Sequence, residues 1–250
     1  MTPPSRPARH AALACLVAVL AAAPAGAQDA LPLETGLPKG LAAPTAKLSW
    51  SGRPVVALQA HAQPSASSRV VGRISPIGEL GGGDLGLLVT AVRTTTEGTW
   101  VRVILPLRPN GNLGWVPADS LQLHATAVRI LVDQSQRQLT MFRAGRVVLR
   151  TRVAIGAPAT PTPNGRFSIA EVIRTDNPAG FIGPFVLPLT AFSNVLDTFD
   201  GGNGRVALHG TSVPSQLGQR VSHGCVRIRN TDLMRIVRAI TPGVPVTVRA

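Results

Sequence analysis

Two short stretches carry residue types suited to nucleophilic catalysis. Ser222-His223-Gly224-Cys225-Val226-Arg227 sets a cysteine behind a glycine and a histidine. Such a run suits a tight turn that leaves the sulfur reachable and aims neighbouring backbone N–H groups at the same space. Leu208-His209-Gly210-Thr211 closes an apolar, strand-like run and supplies a second histidine, sixteen positions before the cysteine. That gap is long enough for a loop to fold back, which makes His209 the candidate base for a Cys225 nucleophile. The chemistry such a pair suits is acyl transfer from an amide. A thiolate is both a strong nucleophile and a tolerable leaving group, and an imidazole raises the thiolate fraction and then protonates the departing amine.

The only other cysteine is Cys15, and it sits in a leader: Arg6 and Arg9 precede an apolar run over residues 11–22, and Ala25-Gly26-Ala27 follows. This is the pattern of a secretory signal over residues 1–27. The run is short for a membrane span, and no later segment reaches the roughly 18 apolar residues a span needs. The mature protein is therefore expected to be exported, with no stable membrane span and with Cys225 as its sole thiol. A lone thiol in an oxidising compartment is either buried or used. The two His-Gly pairs favour use over a plain apolar filler.

Composition sets the frame for these residues. The chain has 250 residues, 44% hydrophobic and 15% charged, with 25 glycines and 22 prolines, which predicts a mainly β protein with many turns and no long helices. Residues 28–48, with Pro32, Pro38 and Pro44, read as a linker. Short β-type runs follow at 55–58, 70–74, 86–92, 100–104 and 114–117, separated by turn residues as in a small barrel. A second domain over 126–250 opens with a three-strand meander at 127–132, 138–142 and 146–155. A proline-rich loop at 156–166 follows, and a strand resumes at 167–173. Residues 176–205 read as a long irregular stretch, either a lid or substrate-binding insertion or a plain cover for the sheet. Residues 205–208 form the strand that ends in His209. After Cys225, Asn230-Thr231-Asp232 offers an N-cap for one short helix, with Leu233, Ile236, Val237 and Ile240 at helical spacing, and residues 244–248 close as a strand.

The formal charge is +13, and loss of Arg6 and Arg9 with the leader lowers it by two. Such an excess favours anionic surroundings. Nucleic acid is disfavoured, because the basic residues are scattered, tyrosine is absent and no nucleic-acid motif is present. An anionic envelope polymer fits an exported protein better, and a solvated basic surface is the plain alternative.

The paired signature His209-Gly210-Thr211 and Ser222-His223-Gly224-Cys225-Val226-Arg227, supported upstream by Thr160-Pro161-Thr162-Pro163-Asn164-Gly165-Arg166-Phe167, resembles the L,D-transpeptidase catalytic domain, also called the YkuD-type domain, over about residues 126–250. Gly114-Trp115-Val116-Pro117-Ala118-Asp119-Ser120-Leu121 resembles the closing strands of bacterial SH3-like domains, over about residues 49–124. Together these imply an SH3-like small barrel that docks on the cell wall, followed by a β-sandwich-like catalytic domain with one short helix after the nucleophile. The first resemblance implies cross-linking of peptidoglycan stem peptides, in the periplasm on a compositional reading, without metal or cofactor. Cys225 would attack the carbonyl of the third stem residue and expel the terminal D-alanine, and an amine from a second stem or an anchored lipoprotein would resolve the thioester. His209 would be the general acid/base, oriented by a carbonyl such as that of Gly210. Amides around His223, Gly224 and Cys225 would form the oxyanion hole.

Other roles stay open on the residues alone. His223 is read as a support whose hydrogen bonds fix the turn, with a direct base role as the lesser alternative. Arg227 is read as holding a substrate carboxylate or pairing with a buried acid, and Ser222 as a hydrogen-bonding turn residue. A zinc site of His209, His223 and Cys225 lacks the usual ligand spacings. A papain-like peptidase runs Cys before His, and here no histidine follows Cys225. A hydrolase using water as acceptor, and a wall-binding protein with an inactive site, complete the alternatives.

Overall fold

The computed structural model describes residues 37–250. The expected leader, Cys15 and the first part of the expected linker lie outside the described residues. Seven strands make a first sheet: β1 (Ser49–Pro54), β2 (Leu58–His61), β3 (Val70–Ile74), β4 (Leu87–Thr95), β5 (Gly98–Ile104), β6 (Leu113–Pro117) and β7 (Leu121–Thr126). Their order is β3-β2-β6-β5-β4-β1-β7. Leu87, Val89, Val101, Val103 and Val116 point into a common core with Trp50 and Leu58, the alternation that a one-sided strand requires.

One expected strand is misplaced. Val55 and Val56 are 54% and 55% exposed and form the turn between β1 and β2. β1 and most of β7 carry few β-branched residues, and they hold their place by pairing with each other in register from Ser49↔Thr126 to Pro54↔Leu121.

The second sheet contains β8 (Val128–Asp133), β9 (Gln138–Arg143), β10 (Arg146–Gly156), β11 (Gly165–Ser168), β12 (Ile173–Arg174), β13 (Phe185–Phe192), β14 (Arg205–His209), β15 (Arg220–Ser222), β16 (Val226–Ile228) and β17 (Pro245–Arg249), with one helix, α1 (Asn230–Val237). Its order is β11-β17-β8-β9-β10-β16-β14-β13-β12, and β15 pairs with β10. The meander β8-β9-β10 matches expectation.

Two expectations change. The supposedly irregular 176–205 contains the eight-residue β13, antiparallel to β14; its Pro188 hides it from a simple strand pattern. Asn230 does not cap α1: the cap position is Arg229 without a side-chain hydrogen bond, and Asn230 Oδ1 instead accepts from Thr211 N at 2.8 Å. α1 buries Leu233 and Ile236 against the sheet.

The described residues 37–250 form a single compact unit, so the two sheets meet. Ala170, just after β11, joins the core of the first sheet, and Gly86 N donates to its carbonyl at 2.8 Å. Glu171, 2% exposed, accepts from Gly81 N at 2.8 Å and Leu80 N at 3.2 Å. Glu171→Ala leaves these donors without their acceptor. It is expected to lower the unfolding free energy by about 1–3 kcal/mol, measured by urea denaturation.

Candidate active site

β14 and β16 lie side by side and parallel, with Leu208 opposite Val226 and His209 opposite Arg227. Extending that register back by one places Cys225 beside Ala207, and Ala207 N donates to Cys225 Sγ at 3.4 Å. Alternation along β14 puts Ala207 and His209 on one face. The sixteen-residue gap of the sequence thus closes through a parallel crossover, and the candidate base and the thiol come to neighbouring strands of one sheet.

The turn before Cys225 is held mainly by Ser222. Ser222 Oγ donates to the Cys225 carbonyl at 2.5 Å and accepts from Gly224 N at 3.2 Å. Gly224 sits at φ +116°, where a side chain would strain the backbone. The proline-rich loop packs against the same turn: Thr160 Oγ1 donates to the Ser222 carbonyl at 3.0 Å, and Ala157 N donates to it at 2.8 Å. Thr162 Oγ1 accepts from Gly156 N at 2.9 Å. The turn-fixing bonds expected of His223 therefore come from Ser222 and Thr160. The His223 ring is exposed and stacks on Phe199, centroids 4.5 Å apart. Because the Gly224 amide is already engaged within the turn, it is not a free oxyanion donor.

His209 is 5% exposed, and its Nδ1–H donates to the Gly210 carbonyl at 2.7 Å. This bond fixes the tautomer and leaves Nε2 as the basic nitrogen. Gly210 must be glycine, since a Cβ there would collide with Asn230 Oδ1 and lie 2.9 Å from Gly183 Cα. Burial holds the imidazole down to about 4, against the Gly210 carbonyl, which favours the protonated ring, while the Arg227 charge pushes it lower still. Burial likewise pushes the Cys225 thiol up, opposed by the Ala207 N–H and the Arg227 charge. Thiol and imidazole therefore rest as a neutral pair near pH 7.

The same ring makes stability depend on pH. His209 falls from 6.5 to about 4 on folding, so between these values the unfolded chain binds a proton that the folded ring refuses. Stability from this group is complete above pH 6.5 and is lost as pH falls toward 4, by about 3 kcal/mol. Urea midpoints should fall over that window, and in His209→Gln the fall should be smaller.

Arg227 is 6% exposed, its Nη1 donates to Gln216 Oε1, and its guanidinium lies 4.6 Å from the Phe181 ring centre. No buried acid pairs with it among the described residues. Nor do the described residues contain a group of three or more His, Cys, Asp or Glu side chains placed to hold a metal.

Cys225 is half-buried and opens into a cavity of about 100 Å³ shared with His223, Phe199, Arg205, Leu196 and Leu80. Leu80 does not stand out by type or spacing, whereas the 193–204 loop lies within the 176–205 stretch expected to be a lid, a substrate-binding insertion or a plain cover for the sheet. Its signal in the sequence is that long stretch of turn formers and aromatics, with Phe199 beside Gly201-Gly202-Asn203-Gly204. Arg205, with a side chain 5% exposed, pairs with Glu79 at 3.0 Å.

Against known proteins, residues 127–248 match the family described as YkuD, L,D-transpeptidase catalytic domain. The protein named as the YkuD L,D-transpeptidase of Bacillus licheniformis is 32% identical over 120 residues, which cover 48% of this chain and 64% of the relative. Its namesake in Bacillus subtilis strain 168 is 30% identical over 119 residues, with the same coverage. The match thus spans just under two thirds of each relative's length. An L,D-transpeptidase of Mycobacterium tuberculosis H37Rv superposes with a TM-score of 0.42 at 18% identity, covering 64% of this chain and 75% of that one. Residues 127–248 belong to the YkuD family of L,D-transpeptidase catalytic domains.

Proposed function

We propose that this protein is an exported cysteine L,D-transpeptidase that cross-links peptidoglycan stem peptides or attaches proteins to them. The observation that supports the reading is the parallel register of β14 and β16, which sets Cys225 beside Ala207, two positions from His209 on the same strand. In the acylation step Cys225 Sγ bonds to the carbonyl carbon of the third stem residue while its proton passes to His209 Nε2. That proton then goes to the nitrogen of the departing D-alanine as the C–N bond breaks, leaving a thioester. In the second step an amine bonds to the same carbon and passes a proton to His209, and the sulfur departs and recovers it.

The neutral resting pair means that the proton moves during attack rather than before it. The amides of His223 and Cys225 are the proposed oxyanion donors. Arg227 is buried beside Cys225 and His209, and in this reading its charge favours the thiolate and disfavours the imidazolium. Residues 49–124 are proposed as an SH3-like module that docks on the wall, and the protein as periplasmic. Among the described residues no helix is long and apolar enough to cross a membrane.

The test is mass spectrometry of products after mixing residues 28–250 with tetrapeptide-stem muropeptides, beside a Cys225→Ala control. A cross-linked dimer short of one D-alanine supports transpeptidation. A cysteine-dependent monomeric tripeptide assigns water as the acceptor, and no product from the wild type favours a wall-binding role.

A further inference from the structure

The 193–204 loop walls the Cys225 cavity, yet little inside the loop holds it. Ser193 N donates to Gly204 O at 2.8 Å across the neck, and Phe199 and Gly202 exchange backbone bonds at the tip. Asp200 and Gly201 take φ of 50° and 76° there, and Val195 and Phe199 are 55% and 47% exposed. A loop with few buried contacts opens easily unless something outside it ties it down.

The ties come from the first sheet. In the turn between β5 and β6, Arg108 reaches both limbs of the loop. Nη1 donates to Ser193 O at 2.8 Å, and Nη2 donates to Leu196 O at 2.9 Å and Asn203 O at 3.3 Å. The guanidinium also lies 4.8 Å from the Phe192 ring centre. Two residues on, Asn110 brackets Phe192, accepting from its N–H at 2.8 Å and donating to its carbonyl at 2.7 Å, and it also donates to Asn194 Oδ1 at 3.0 Å. The turn is itself braced, since Asn112 Nδ2 donates to Arg108 O at 2.7 Å. A planar fork that binds three carbonyls fixes position as well as proximity, which an ammonium does not do.

We infer that Arg108 and Asn110 are positioning residues for the catalytic cleft, holding the 193–204 loop so that Phe199 covers His223 at the mouth of the Cys225 cavity. This deepens, and rests on, the reading of Cys225 as the nucleophile of an L,D-transpeptidase. It makes the first sheet a working wall of the active site in addition to a docking module. The stem peptide then binds against a loop whose place is set from the other sheet.

Cys225 is the only cysteine in residues 28–250, so iodoacetamide labelling of the purified chain reads access to its sulfur directly. Arg108→Ala, Asn110→Ala and Phe199→Ala are each expected to label about tenfold faster than wild type well below their melting ranges. Asn110→Ala should also lower Tm, because it strands the buried Phe192 N–H and carbonyl. Phe199→Tyr, which keeps the ring on His223, should label at the wild-type rate. Arg108→Ala combined with Phe199→Ala should be no faster than either alone, because both remove one cover. With stem substrate, KM should rise more than kcat falls. If Arg108→Ala does not fold, Arg108→Lys keeps the charge without the fork and carries the same expectation. Wild-type labelling rates in the Arg108 and Asn110 variants, or multiplied rates in the double variant, overturn the inference. Labelling needs no turnover, so the expected labelling pattern from a protein that forms no cross-linked product would sink the transpeptidase reading and leave the clamp standing.

Discussion

Cys225→Ala is expected to lower turnover of a tetrapeptide-stem substrate by about 10⁴-fold or more, because no other group in the cleft can form the acyl intermediate. The fold should survive. Cys225 Sγ accepts one long hydrogen bond from Ala207 N, at 3.4 Å, and the turn is held by the Ser222 hydroxyl and the Cys225 carbonyl, which alanine keeps. A stability change within about 1 kcal/mol of wild type is expected, so lost activity reads as lost chemistry. Steady-state product formation alongside a urea melt measures both. Retention of more than a small fraction of wild-type rate would mean that the thiol is not the nucleophile.

The second large effect is at His209. His209→Gln keeps a polar side chain of similar reach but cannot carry a proton, and kcat/KM is expected to fall by about 10²–10⁴-fold. The wild-type pH profile gives the sharper signature. With the imidazole held at about 4 by burial, the acid limb of kcat/KM should lie near pH 4, well below the ordinary histidine range, and His209→Gln should lose that limb. The Cys225 thiol, pushed up by desolvation, further implies that labelling of Cys225 rises with pH beyond neutrality. A plateau already reached at pH 5 would indicate a preformed thiolate–imidazolium pair instead.

Much of this site is legible in the sequence because its chemistry is local. Ser222 to Arg227 is one contiguous stretch, and β14 announces itself as an apolar run ending in His209. The meander of β8, β9 and β10 is equally plain, as each strand is long and its turns carry the left-handed residues Arg137, Ala144 and Gly145. The departures from expectation share one cause, which is that long-range partners decide them. β1 is a strand because β7 lies beside it, and β13 is a strand despite Pro188. Asn230 serves the backbone of Thr211 across nineteen positions in place of its own helix. The wall of the cleft is least visible, because Leu80 and Arg108 have no chemical signature of their own. Their role exists only once the two sheets pack, and no spacing along the chain encodes that contact.

The central claim is that Cys225 carries the acyl group. The most direct measurement is the intact mass of residues 28–250, quenched in acid shortly after mixing with a tetrapeptide-stem muropeptide. A protein mass increased by the stem less one D-alanine, sensitive to hydroxylamine and absent in Cys225→Ala, is the expected result. Turnover of the stem with no such adduct, or the same adduct on Cys225→Ala, would contradict it.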